Sequence, residues 1–170
     1  MTSPEVSVDG PLRAMVALRI FFGLDWLSNA IAKLLGVSNF RWGFTTFNLV
    51  DRATAHAILR QASGATAIPP LRWFYGTVVL HDWNFFQWFL TAAEIGVAIG
   101  LTFGLLTRLA AVGGFLLLAP IGLMLLTTNQ YLWTYPLDLF PLVLLALVPT
   151  GRVLGFDQVL VRRFGRRWPW

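Results

Sequence analysis

The chain predicts an all-α integral membrane protein: a four-transmembrane-helix bundle with one long outer loop that contains a short interfacial helix. Hydrophobic residues make up 56% of its 170 residues and charged residues only 12%, whereas about a quarter of an ordinary soluble domain is charged. The mean hydropathy is +0.66. Residues 85–106, FFQWFLTAAEIGVAIGLTFGLL, match the roughly 20 apolar residues that cross a bilayer as one helix. A single carboxylate, Glu94, sits near the middle of that run. The whole chain is one membrane domain, and no separate soluble catalytic domain fits within it.

The first span covers about residues 12–35. Its acidic lead-in, with no small-residue cleavage site, marks it as a retained helix and not a removable signal. At 100° per residue Asp25, Ser28, Asn29, Ala32 and Lys33 share one side, which should face protein and not lipid. The outer loop follows at about 36–84. Within it Asp51 is placed to cap a short helix over ATAHAILRQA, and Pro69, Pro70, Trp73, Phe74 and Tyr75 form a stretch suited to the headgroup layer. The second span, 85–106, holds Glu94. The third, 109–127, contains Pro120, which removes a backbone donor and favours a kink. The fourth, 131–148, reaches crossing length only if Tyr131, Trp133 and Tyr135 are included as an interfacial belt. A basic tail, 150–170, carries Arg162, Arg163, Arg166 and Arg167. With an even number of spans, these arginines place both termini in the cytoplasm of a multi-pass protein of the cell (inner or plasma) membrane.

The formal charge of +5 comes from dispersed basic residues and this tail, a pattern of membrane-surface contact and not of nucleic-acid binding. The absence of cysteine removes thiol nucleophiles, disulfide relays and thiolate metal sites. His56 and His81 lie in the loop without a carboxylate spacing that forms a known site, so no metal is expected.

The phrases LRIFFGLDWLSNAIAKLLG, AAEIGVAIGLTFGLLTRLAA and PTGRVLGFD resemble the first helix, the second-helix signature and the end of the fourth helix of the DoxX/DoxD membrane proteins. AIPPLRWFY and NQYLWTYPLDLFPL resemble the DoxD branch, named for the small subunit of thiosulfate:quinone oxidoreductase. The resemblance implies a membrane subunit that, with a DoxA-like partner, oxidises thiosulfate to tetrathionate and passes the electrons to quinone. It supplies no catalytic residue to carry over.

Site assignments therefore rest on position. Glu94 and Asp25 are candidates for proton transfer to a quinone, because a two-electron reduction also takes up two protons. A packing role for each, through an ion pair or a hydrogen-bond ladder, is the competing reading. Arg19 and Asn29 are candidates for the polar interior or a quinone pocket. Arg19 is the favoured partner of Glu94, since Arg108 lies about 21 Å along the same helix axis. Arg41 and Arg72 could hold a sulfur oxyanion through their guanidinium forks, but lipid headgroup contacts explain them without any substrate and are the preferred reading. Gly96, Gly100 and Gly104, at four-residue intervals, form a helix-packing groove. Two functions result: an oxidoreductase subunit, or a non-catalytic accessory subunit that stabilises a larger respiratory or photosynthetic complex. A transporter is disfavoured by the lack of an internal repeat.

Overall fold

The computed structural model describes residues 9–128, 131 and 133–169. The reading of a retained N-terminus draws on residues 1–8, which lie outside the described residues, as does Leu132 in the fourth predicted span. The protein is mostly helical, and among the described residues three helices are long and apolar enough to cross a membrane: α1 (Asp9–Leu35), α4 (Trp83–Phe103) and α5 (Thr107–Leu125). A shorter apolar helix, α6 (Thr134–Leu147), follows. It packs along α5 and touches α1, so that α1, α4, α5 and α6 form a ring in that order.

The ring closes around Phe22, Val97, Leu101, Ala111, Leu142 and Leu145. Its tightest seam is α1 against α4, and Gly23 explains why: a Cβ there would lie 2.5 Å from the Thr102 backbone nitrogen. Backbone cannot rotate away as a side chain can, so the helices would have to part. Gly23→Ala is expected to cost about 1–3 kcal/mol, the usual range for overpacking, read as a lower unfolding temperature in detergent.

The predicted glycine groove is not a single surface. Gly96 has open space where a Cβ would go, and Gly100 packs on Ala110 of α5. Gly104 lies beyond α4 as its left-handed C-cap, with φ 65°. A four-residue spacing places glycines on one face only while the helix lasts, and this helix ends at Phe103.

The long loop between α1 and α4 contains more than a helix. The chain leaves α1 into an antiparallel hairpin, β1 (Asn39–Trp42) and β2 (Thr45–Asn48), which departs from the expected all-α fold. Gly43 takes φ 60° while Phe44 does not take a positive φ, the pattern of a two-residue type II′ turn. Then come α2 (Arg52–Ala65), α3 (Pro69–Trp73) and a π-helical turn (Phe74–Val79) that runs toward α4. This cap packs through Leu59, Ala62 and Val79 onto Met124 and Leu125 at the end of α5.

Asp51 caps α2 as expected, accepting from the Thr54 amide at 2.8 Å. The hydrogen bonds from Thr54 hold its carboxyl below the usual carboxylate range. The stabilisation is therefore present above the unfolded-state pKa of about 3.9 and is lost as pH falls below it. Asp51→Ala should cost about 1 kcal/mol at neutral pH, and the gap to the wild type should shrink as unfolding is measured toward acid.

Candidate functional site

A cavity of about 420 Å³ opens between the bundle and the cap. That volume falls in the ordinary range for a small-molecule pocket, about 300–1,000 Å³. Its walls are largely aromatic and aliphatic: Phe22 and Trp26 from α1, Tyr75 from the π-helical turn, Trp83, Phe86 and Leu90 from α4, and Leu117 and Ile121 from α5. The π-helical turn contributes directly, a placement often found where a helix is reshaped around a site. Into this apolar lining project Asp25, Asn29, Lys33, Gln87, Glu94 and Asp138. Apolar walls with a few convergent polar groups are the ordinary make-up of a small-molecule pocket.

The polar stripe predicted on α1 faces this cavity. Asp25, Asn29 and Lys33 are spaced one turn apart and all line it, as does Glu94 from α4. The partner of Glu94 is Lys33, with Nζ 2.7 Å from Oε2 and the two side chains 5% and 17% exposed. Arg19, the expected partner, lies elsewhere and donates to the Leu154 carbonyl. Arg108 is also engaged elsewhere, donating to the Leu147 carbonyl at 2.8 Å. Of the residues assigned to a polar interior, Asn29 is therefore in the cavity and Arg19 is not.

Asp25 lines the cavity from its exposed side and so is not enclosed within the bundle. Asp138 of α6 is exposed on the same rim, close enough for the two carboxylate charges to interact. Asn29 has a structural task as well: its Oδ1 accepts from the Val50 amide at 3.0 Å, tying the cap to α1. The place of Asp138 on the rim depends on helix register that periodicity within one helix does not carry.

Arg41 and Arg72 do not share a site. Arg41 stands on the hairpin, whereas Arg72 donates to the Thr66 carbonyl and shares an open groove with Arg60. His56 lies tilted against Trp83 with ring centroids 5.0 Å apart. Among the described residues, no cluster of His, Cys, Asp and Glu is arranged to hold a metal ion.

A second polar centre lies at the other end of the bundle. The turn from α4 to α5 places Leu106 at φ 50°, an uncommon conformation for a branched side chain. The Asp157 carboxylate accepts from the Leu106 amide at 2.7 Å and the Thr107 amide at 3.1 Å. Backbone bonds from Phe156 to the Phe103 carbonyl and from Asp157 to the Gly104 carbonyl reinforce it. The arginine-rich segment expected as a basic tail thus begins as a docked structure: a 3₁₀ turn (Thr150–Arg152), then α7 (Asp157–Phe164) with Asp157 buried at its start. The phrases GLLTR and PTGRVLGFD, far apart in sequence, meet here.

Compared with family models, curated proteins and solved structures, the chain finds no match.

Proposed function

We propose that this chain is a DoxD-like membrane subunit of a thiosulfate- or other sulfur-compound:quinone oxidoreductase, with the cavity between bundle and cap as its quinone site. The observation that carries the proposal is the convergence of Asp25, Asn29, Lys33, Glu94 and Asp138 on one aromatic-lined cavity. Phe74, Phe89 and Leu116 line the cavity and are also exposed on the helix surface, which supports entry of a lipid-soluble ligand from the bilayer. In this reading α6 and its flanking aromatic residues complete a fourth crossing. Both termini face the cytoplasm of the cell membrane, and α2 lies at the interface.

A bound quinone supplies a two-electron, two-proton acceptor. The electrons come from a sulfur compound oxidised at a partner subunit, DoxA-like in kind. This chain's residues then have defined tasks. The aromatic walls exclude water and orient the ring, Asn29 and Lys33 offer N–H donors toward its oxygens, and Asp25 and Asp138 at the rim pass protons inward toward Glu94.

The test is binding followed by turnover. A short-tailed quinone titrated into the purified protein in nanodiscs should quench tryptophan fluorescence saturably, with the signal reduced in Trp26→Phe. Filling the cavity with Leu117→Trp should weaken binding about tenfold or more, a change of about 1.4 kcal/mol. Unsaturable quenching that is indifferent to Leu117→Trp would sink the quinone site. Unchanged quinone reduction by the complex carrying Glu94→Gln with Asp25→Asn would sink the proton role.

The second reading is a non-catalytic accessory subunit of a larger respiratory or photosynthetic complex. It is favoured by one observation: Glu94 already has a close counter-charge in Lys33, so the acid has a structural explanation without any ligand. Its test is stoichiometric co-purification with such a complex.

A further inference from the structure

The hairpin is an amphipathic ribbon with no partner within the described chain. Its register pairs Phe40 with Phe47 and Trp42 with Thr45, and, on alternate positions, Asn39 with Asn48 and Arg41 with Thr46. Directly paired residues project to the same side of a ribbon, and successive residues to opposite sides. One face is thus Phe40, Trp42, Thr45 and Phe47, with Phe44 at the tip, and the other is Asn39, Arg41, Thr46 and Asn48. All four aromatic residues are at least 50% exposed. An isolated two-stranded hairpin is marginal in water unless its apolar face is covered.

The attachment of the hairpin identifies what covers that face. Only residues 36–38 separate it from the end of α1 at Leu35. Its base is pinned to that helix by the Val37 amide, which donates to the Ala32 carbonyl, and by the Val50 amide, which donates to the Asn29 side chain, while Leu49 donates to the Ser38 carbonyl across the two arms. Asn29 is six residues before the end of α1, about 9 Å back along the axis. The returning strand therefore ends beside the last two turns of a helix long and apolar enough to span the bilayer. Those turns expose Ile31, Leu34 and Leu35, and Val37 extends the same apolar surface toward the ribbon. Continuity with that surface brings the ribbon to the boundary of hydrocarbon and headgroups, where tryptophan and other aromatic rings are favoured.

We propose that the Asn39–Asn48 ribbon is a membrane-surface anchor, with its aromatic face seated in the headgroup layer beside the end of α1 and its Arg41 face toward water and lipid phosphates. The inference rests on the membrane-spanning character of α1 and not on the quinone reading.

The chain has no cysteine, so single nitroxide labels need no prior substitutions. Phe44→Cys and Thr46→Cys would be labelled separately in vesicles of mixed zwitterionic and anionic phospholipid, with Arg163→Cys on α7 as an aqueous control. The label at residue 44 should collide severalfold more with oxygen than with a water-soluble nickel chelate, and the label at 46 should show the reverse. Nickel access at both positions would place the ribbon in water and overturn the proposal. Protection of residue 44 from both reagents would mean that a second copy or another protein covers the aromatic face, and would overturn it equally. Size-exclusion profiles matching the wild type show that the labelled variants are folded.

Discussion

Asp157→Ala should be the most damaging single substitution outside the apolar core. Its carboxylate is buried and accepts two backbone amides from the turn between α4 and α5. Hydrogen bonds to a charged group contribute about 1.5–3 kcal/mol each. Alanine leaves both donors without an acceptor at the point where Leu106 already holds an unfavourable conformation. The charge of Arg19, which is attracted to Asp157 and is only 2% exposed, loses its counterpart as well. A loss of about 3–5 kcal/mol is expected, a large share of the 5–15 kcal/mol that keeps a typical domain folded. Thermal unfolding in detergent, followed by tryptophan fluorescence, measures it. Asp157→Asn keeps one accepting oxygen and should lose about half as much. Arg19→Met removes the buried cation with a side chain of similar length and should be milder than Asp157→Ala. Equal stability of Asp157→Ala and the wild type would show that the docked C-terminal segment does not hold the turn.

This centre shows where a single sequence runs out. The stripe Asp25, Asn29 and Lys33 was legible because it depends only on the 3.6-residue period of one helix. That Lys33 and not Arg19 meets Glu94 depends on how far α4 is shifted along α1, and that register is set by the close approach of Gly23 to Thr102. Asp157 gave no local signal, because it stands at the edge of an arginine-rich stretch and its partners are 50 and 51 residues away. The hairpin did leave a signal: polar and aromatic residues alternate with period two from Asn39 to Trp42, just before Gly43. In a chain where aromatics are expected at an interface anyway, that alternation is easily taken for an irregular loop. The fourth apolar segment was visible, but its observed helix is 14 residues long because it begins only at Thr134.

The Lys33–Glu94 pair offers the result that separates chemistry from packing. Lys33→Met strands Glu94 in a largely apolar surround, and removing one member of a buried pair typically costs about 3–5 kcal/mol. Glu94→Gln alone strands Lys33 in the same way. Replacing both, Lys33→Met with Glu94→Gln, removes the charges together, and stability should return to within about 1–2 kcal/mol of the wild type, leaving a coupling well above the additive expectation. Unfolding of the four proteins in the same detergent closes the cycle. If the two single losses simply add, the pair is not coupled and the 2.7 Å contact carries little energy. The double variant has a second use, because its fold is restored while the Glu94 carboxyl is gone. In an oxidoreductase subunit, quinone reduction by the assembled complex should then fall although assembly is intact. In an accessory subunit, assembly and electron flow should both match the wild type, because the only property the pair supplied there was the fit between α1 and α4.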